Sequence, residues 1–287
     1  MKDDVSVESA ESKATAVCDT CFYRCSIADG RTGKCRARMN RGGKIVPLNY
    51  GRLTALALDP IEKKPLYRFF PGSVILSAGS WGCNMRCPFC QNAEISQSGG
   101  GIETVYVSPE ALAEKALSLI PCGNIGVAYT YNEPLVSWEY VRDASRCVHS
   151  LGMKNVVVTN GCVSADVIEE VLPYVDAMNI DLKGFTREWY RALGGDFDAV
   201  KDTIVRSAKR THVELTTLIV PGKNDGEEEI RSLAQWVSKI DKAMPLHITR
   251  FFPHWRMKNA DATPVDTVYR SVSIAREYLE YVYPGNC

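Results

Sequence analysis

From Ser73 onward, short apolar runs alternate with longer stretches whose apolar residues recur at helical spacing. The apolar runs predict strands over residues 73–78, 125–129, 155–159, 177–182, 213–220 and 246–250. The amphipathic stretches predict helices over 109–120, 134–151, 164–172, 187–193, 199–210, 227–240 and 265–280. Strands alternating with helices are typical of βαβ units around a parallel sheet. Six strands are too few for an eight-stranded barrel, so we predict an α/β fold with a partial (β/α)6 TIM-type barrel over 73–287.

The chain before this barrel has a different pattern. Residues 17–72 predict a small Cys-rich, β-containing module and a connector, with a turn at 40–43 and a short strand over 44–50. Two prolines favour an extended connector over 59–66, where Lys63 and Lys64 indicate a solvated face. Residues 1–16 are acidic, rich in serine and without an apolar core, which predicts a disordered tail rather than a signal peptide.

Charge and cysteine content narrow the possible classes of protein. Lys plus Arg number 34, as do Asp plus Glu, so no net field attracts nucleic acid or an anionic membrane. We therefore expect neither as a partner, and no run of 18 apolar residues predicts a membrane helix. Eleven cysteines in a chain without a secretory signal favour metal binding in a reducing compartment. This predicts a cytoplasmic protein.

Four cysteines lie close together in the N-terminal module. Cys18, Cys21, Cys25 and Cys35 surround a turn, and four thiolates complete either a structural zinc site or an iron–sulfur cluster. The sequence does not separate these two metals. The alternative of four unliganded thiols is disfavoured because the segment is too small to bury them.

Cys83, Cys87 and Cys90 form a Cys-x3-Cys-x2-Cys motif directly after the first barrel strand. Three soft thiolates suit an iron–sulfur cluster, and a [4Fe-4S] cluster would keep one iron free for an outside ligand. A structural zinc site needs a fourth ligand, but residues 91–103 contain neither Cys nor His. We therefore predict a reactive site rather than a chance grouping of core thiols.

Polar residues at the ends of later strands are further candidates, since active sites of such barrels lie at the carboxyl ends of the strands. Glu133 follows the second strand and Asn160 the third. Asp181 and Lys183 alternate about Leu182 at the end of the fourth, where a simple salt bridge is the alternative role. The sixth strand brings three candidates, His247, Arg250 and His254, of which each histidine alone is more often structural.

Together these motifs resemble radical S-adenosylmethionine (SAM) enzymes of the pyruvate formate-lyase activating type. The resemblance rests on Cys-x3-Cys-x2-Cys, Thr130-Tyr-Asn-Glu-Pro134, Thr159-Asn-Gly161, Asp181-Leu-Lys183 and Val220-Pro-Gly222. With the N-terminal Cys-x2-Cys-x3-Cys-x9-Cys and the 59–66 segment, the chain also resembles the radical SAM member of the AmmeMemoRadiSam system. That group continues past this point into a short tail with more cysteines, whereas this chain stops at Cys287.

The resemblance implies a cofactor, a reaction and partners. A [4Fe-4S] cluster on Cys83, Cys87 and Cys90 would cleave SAM reductively, and the 5′-deoxyadenosyl radical would take hydrogen from a small-molecule or protein substrate. The residues implied to contact SAM are Phe89, Gln91, Glu133, Asn160, Asp181, Lys183 and Arg250. A flavodoxin or ferredoxin would supply electrons, and proteins encoded alongside are further partners. Activation of a glycyl-radical enzyme is the alternative function, and a non-catalytic iron–sulfur or zinc scaffold is a third.

Overall fold

The computed structural model describes residues 15–287, so the tail predicted over 1–16 lies almost entirely outside the described residues. The strands are β1 (Ala16–Val17), β2 (Ser26–Ile27), β3 (Arg38–Arg41), β4 (Lys44–Pro47), β5 (Arg52–Leu53), β6 (Ala55–Pro60), β7 (Val74–Gly79), β8 (Val105–Tyr106), β9 (Asn124–Thr130), β10 (Lys154–Thr159), β11 (Ala177–Asp181), β12 (His212–Ile219), β13 (Leu246–Arg250) and β14 (Val282–Gly285). The α-helices are α1 (Ala93–Ser96), α2 (Pro109–Ser118), α3 (Trp138–Ser150), α4 (Ala165–Val171), α5 (Arg187–Ala192), α6 (Phe197–Ser207), α7 (Glu227–Ser238) and α8 (Val265–Arg276).

Eight strands form one sheet in the order β14-β13-β12-β11-β10-β9-β7-β6. Every neighbouring pair is parallel except β6 and β7, which are antiparallel. Five of the six residues of β7 are buried, as expected for a parallel strand covered on both faces. The predicted α/β partial barrel is confirmed. No helix within residues 15–287 has both the length and the apolar character needed to cross a membrane.

All six predicted barrel strands are present, with ends within one residue of the prediction. The predicted helix over 134–151 is instead a 3₁₀ turn, Pro134–Ser137, followed by α3. Helix α6 begins earlier than predicted because the Asp196 side chain accepts a hydrogen bond from the Ala199 amide and caps it. Strands β6 and β14, one at each edge of the sheet, were not predicted.

The last two residues of β6 and the segment that follows them close the amino-terminal end of the barrel, and we call residues 59–68 the floor segment. Ile61 and Leu66 are fully buried against the strand residues Ile75, Ala128, Val156 and Ala177. The Asn179 amide on β11 donates to the Pro65 carbonyl over 2.8 Å. The predicted extended connector therefore lies inside the barrel, where it forms part of the core.

Glu214 on β12 holds the floor segment from the opposite side of the barrel. Its fully buried carboxylate accepts hydrogen bonds from the Tyr67 and Arg68 amides over 3.0 and 2.8 Å. The Nε2 atoms of His212 and His247 lie 2.9 and 2.6 Å from the same carboxylate. Burial alone would raise the pKa of Glu214, but these hydrogen bonds outweigh it and lower the pKa to about 2.

We expect Glu214→Gln to lower the free energy of unfolding at pH 7 by on the order of 3 kcal/mol, because a tenfold change in a protonation equilibrium corresponds to about 1.4 kcal/mol. A lowered carboxyl pKa stabilises the fold above the unfolded-state pKa. That stabilisation is lost as the pH falls towards about 2. Urea unfolding at several pH values should show the difference between variant and wild type shrinking below pH 4.5. A difference in unfolding free energy that does not change with pH would contradict the ionised Glu214 carboxylate as its cause.

Candidate active site

The cysteine motif lies on a loop that leaves the carboxyl end of β7. Gly82 has φ +88°, and a Cβ there would lie 2.8 Å from the Ala37 Cβ, so the turn requires glycine. The loop directs Cys83, Cys87 and Cys90 to the wall of one cavity of about 780 Å³. No other cysteine of the described chain lines this cavity. Its volume lies within the range of small-molecule and cofactor sites.

The thiols are surrounded by groups that suit a sulfur-ligated cluster. The Met85 amide donates to Cys83 Sγ over 3.3 Å, and Asn160 Nδ2 lies 3.6 Å from the same sulfur. Burial raises the pKa of Cys83, and raises that of Cys87 to about 11. Cys83 and Cys87 are therefore neutral thiols in the metal-free form, and cluster assembly would displace their protons. All eleven cysteines are free of disulfides, so all three remain available.

Glu133 lies beside the cysteine loop and is the N-cap of the 3₁₀ turn Pro134–Ser137. Its buried carboxylate accepts from Thr159 Oγ1 over 2.7 Å and from the Asn160 amide over 2.8 Å. Burial raises the pKa of Glu133 to about 7, although these hydrogen bonds oppose the shift. An ammonium group arriving in the cavity would favour the ionised carboxylate.

Asp181 and Lys183 meet at the end of β11, as their alternation predicted. Lys183 Nζ lies 2.9 Å from Asp181 Oδ2, and both residues line the cavity. The Lys183 carbonyl accepts from the Trp189 indole and from Asn224 Nδ2, each over 2.8 Å. The turn after β11 is thus held rigidly, which fixes a cation and an acceptor at the cavity wall.

Three of the other predicted SAM contacts line the cavity: Phe89, Gln91 and Asn160. The Phe89 ring is buried, with its centroid 6.1 Å from that of Trp189. Asn160 Nδ2 donates to Asn84 Oδ1 over 2.9 Å, so this amide also braces the cysteine loop.

Arg250 lies outside the lining of the cavity. Its Nε donates to the Thr263 carbonyl over 2.7 Å, and its guanidinium lies 4.8 Å from the Phe252 ring centroid. Its neighbours Thr249 and Phe251 line the cavity, but Arg250 does not. The side chain contacts the loop that precedes α8, and its contact with SAM stays a prediction.

The N-terminal module packs behind the cysteine loop, and Arg36 joins the two. Its guanidinium donates to the Cys83 and Ser96 carbonyls over 3.3 and 3.1 Å, and to Gln97 Oε1 over 3.0 Å. The Cys35 carbonyl lies 3.0 Å from the point where a Cβ of Gly82 would be. The module therefore supports the turn that presents Cys83.

The four N-terminal cysteines are neighbours in this module. The pKa of Cys21 is raised to about 12, mainly by burial and in smaller part by the nearby Cys35, Cys18 and Cys25. Within residues 15–287, however, no three Cys, His, Asp or Glu side chains stand in position to coordinate one metal ion. Zinc or a second cluster at this module stays a prediction.

Sequence reasoning missed one wall of the cavity, formed by the floor segment and its neighbours. Lys64 and Tyr67 of that segment line the cavity with Tyr131, beside the predicted candidate His247. The interpretation of Lys64 as part of a solvated face is wrong, because its side chain is only 3% exposed. The local sequence contains no signal for this burial, because the exposed Lys63 lies between the same two prolines.

Comparison with known proteins identifies the class. The profile of the radical SAM superfamily matches residues 80–237, more than half of the chain. The chain belongs to the radical SAM superfamily. An uncharacterized Methanocaldococcus jannaschii protein is 37% identical over 273 residues, covering 94% of this chain and 80% of that protein. The pyruvate formate-lyase 1-activating enzyme of Escherichia coli K12 is 27% identical over 179 residues, 58% of this chain and 71% of that enzyme.

Solved structures support the same fold. A radical SAM methyltransferase from Sphaerobacter thermophilus aligns with a TM-score of 0.55 at 13% identity, over 75% of this chain and 67% of that one. SuiB from Streptococcus suis aligns with a TM-score of 0.56 at 11% identity, over 73% of this chain and 48% of SuiB. Enzymes of this superfamily use a [4Fe-4S] cluster and SAM, and this radical SAM protein is therefore an enzyme.

Proposed function

We propose that this radical SAM enzyme binds a [4Fe-4S] cluster through Cys83, Cys87 and Cys90 and cleaves SAM in the adjoining cavity. The supporting observation is that three thiols without a fourth line the same cavity as the Asp181–Lys183 pair and Glu133. When bound and reduced, the cluster supplies the electron that converts SAM to methionine and a 5′-deoxyadenosyl radical. The substrate that loses hydrogen is a small molecule or a protein.

Each remaining residue has a binding or positioning task. The Lys183 ammonium attracts the SAM carboxylate, while Asp181 and Glu133 accept from its amine or ribose hydroxyls. Gln91 and the buried Phe89 ring pack near the adenine. Asn160 and Arg36 hold the cysteine loop, so that the site is organised before the cofactors bind.

Anaerobic reconstitution with iron and sulfide tests this function. We expect reconstituted enzyme to produce 5′-deoxyadenosine from SAM under dithionite. Absence of that product from protein that holds at least about four irons per chain would contradict the proposal.

The alternative function is activation of a glycyl-radical enzyme. It is favoured by similarity to activating enzymes, including the pyruvate formate-lyase-activating enzyme of Clostridium pasteurianum, 26% identical over 164 residues. Activating enzymes of this type take electrons from flavodoxin or ferredoxin, and we propose such a donor here. The cysteine module at 17–72 instead favours the AmmeMemoRadiSam branch, with companion proteins as partners in the cytoplasm. Glycyl-radical formation in an enzyme encoded next to this one would favour activation.

We further propose that Cys18, Cys21, Cys25 and Cys35 hold a structural metal. Metal analysis of anaerobically purified protein should give about four irons and one zinc per chain. Replacing the four cysteines with alanine should lower solubility or stability, yet leave 5′-deoxyadenosine formation measurable in protein that folds. About eight irons and no zinc would instead indicate a second cluster, and the structural-zinc assignment would be abandoned.

A further inference from the structure

Lys64 is a buried amine in the wall of the cavity that the three cysteines share. Its side chain is 3% exposed, and its Nζ lies 2.9 Å from Asp59 Oδ2 and 4.8 Å from the Tyr131 ring centroid. The Tyr131 hydroxyl donates to the same carboxylate oxygen over 2.6 Å. Tyr131 adopts φ +72°, which is unusual for a residue other than glycine. The backbone is thus held in a strained conformation that carries the tyrosine to this carboxylate.

The adjacent Lys63 also pairs with Asp59 but differs from Lys64 in its exposure to solvent. Lys63 Nζ lies 3.2 Å from the other oxygen of Asp59, but its side chain is 66% exposed, so its ammonium group is accessible to solvent. Burial lowers the pKa of Lys64, and the bond to Asp59 offsets only part of that effect. For Asp59, burial opposes ionisation, yet hydrogen bonds from Lys64 and Tyr131 hold its pKa below the usual range. A desolvated lysine beside a carboxylate and a phenol has the groups needed for amine chemistry.

We propose that Lys64 forms a Schiff base with a carbonyl substrate, a 2-oxo acid or an aldehyde, bound in this cavity. This proposal rests on the proposed function, because it names a class of substrate for the same cavity. Asp59 takes one proton from the Lys64 ammonium, the neutral Nζ adds to the carbonyl carbon, and a second Nζ proton moves to the carbonyl oxygen to give a carbinolamine. Asp59 returns the proton to the departing hydroxyl, water leaves, and a C=N bond replaces C=O. Ammonium plus carbonyl gives iminium plus water, so no oxidant or reductant is required.

A covalent tether suits the neighbouring chemistry. Hydrogen abstraction requires one substrate hydrogen to be held close to the reacting centre, and a covalent bond supplies that position without a large binding surface. The floor segment is rigid enough for this purpose, because Ile61 and Leu66 are fully buried and Glu214 fixes the amides of Tyr67 and Arg68. The amine is therefore carried on a well-anchored wall.

Reductive trapping tests the proposal without SAM. Reconstituted enzyme is incubated anaerobically with pyruvate, or in a parallel sample with acetaldehyde, and with cyanoborohydride, then digested for mass spectrometry. We expect one reduced adduct per chain, on Lys64, from at least one of the two probes. Lys63→Arg should retain the adduct and Lys64→Arg, which keeps the charge beside Asp59, should lose it. Comparable labelling of Lys63 and other exposed lysines, or an undiminished adduct in Lys64→Arg, would overturn the assignment.

The variant Asp59→Asn provides a second test, which measures the rate of trapping at Lys64. That rate should change if Asp59 transfers protons for Lys64, and should not change if Lys64 is purely structural. We expect trapping at Lys64 to slow by roughly 100-fold, the usual size of a general acid–base contribution. Peptide mapping of the wild type identifies the labelled lysine even if a variant folds poorly. Trapping needs no SAM, so an absent adduct with normal 5′-deoxyadenosine formation refutes only the Schiff base. An adduct without SAM cleavage refutes only the proposed function.

Discussion

Alanine at Cys83, Cys87 or Cys90 is expected to abolish 5′-deoxyadenosine formation under dithionite. Each cysteine would bind a separate iron of the cluster, so the loss of one thiolate leaves an iron without its protein ligand. The three positions lie on one loop and line one cavity, which is why a single replacement should have as large an effect as the triple replacement. Product quantification by chromatography, together with iron content, measures the result.

Cys122 and Cys147 provide the matched controls. Both are free thiols beyond the cavity, the first exposed after α2 and the second half-buried on α3. Alanine at either position should leave product formation within about twofold of the wild type, since surface substitutions usually change stability by less than about 0.5 kcal/mol. Undiminished turnover in the triple variant would remove the basis for the whole site.

Asp181→Ala and Lys183→Ala should each weaken SAM binding while iron content stays unchanged. A charge-assisted contact contributes about 1.5–3 kcal/mol, which corresponds to roughly 10- to 150-fold in affinity. The two side chains lie 2.9 Å apart, so their effects should not add, and the double variant should lose less than the product of the single losses. Equilibrium binding of SAM to reconstituted protein measures all three.

The ion pair Lys154–Asp176 is the control for a nonspecific effect of charge removal on SAM affinity. Its Nζ–Oδ1 distance is 2.8 Å, but it lies at the amino-terminal ends of β10 and β11, away from the cavity. Lys154→Ala should leave SAM affinity unchanged. Unchanged affinity in both cavity variants would instead make Asp181–Lys183 an ordinary salt bridge.

The sequence was most informative where one residue pattern has one structural outcome. Parallel strands place their carboxyl ends at a common edge, so the cysteine loop, Glu133, Asn160 and Asp181 could be brought together from strand positions alone. The period of two along β11 similarly placed Lys183 beside Asp181. These inferences needed only local periodicity and the topology of the barrel.

Features that depend on distant contacts were missed. In 59–66, charge and proline indicated solvent exposure, whereas the burial of Lys64 depends on Asp59 and on β7 to β11 around it. The position of Arg250 outside the cavity lining has a related cause, since its Nε donates to the Thr263 carbonyl on the loop before α8. Strand β6 was missed because its pairing partner, β7, lies beyond the floor segment rather than across a short hairpin turn.

The contacts of the floor segment also constrain the order in which the protein can fold during synthesis. Tyr67 is bound by Glu214, 147 positions later, and its ring packs 5.0 Å from that of Tyr283 on the last strand. Arg68 lies over the ring of Tyr281 at 3.8 Å. Contacts between such distant residues form slowly, and those with Tyr281 and Tyr283 cannot form before these two residues have left the ribosome. The apolar residues of the floor, Ile61 and Leu66, remain uncovered until the strands that carry Ala128, Val156 and Ala177 have been made, and they are the first candidates for chaperone binding.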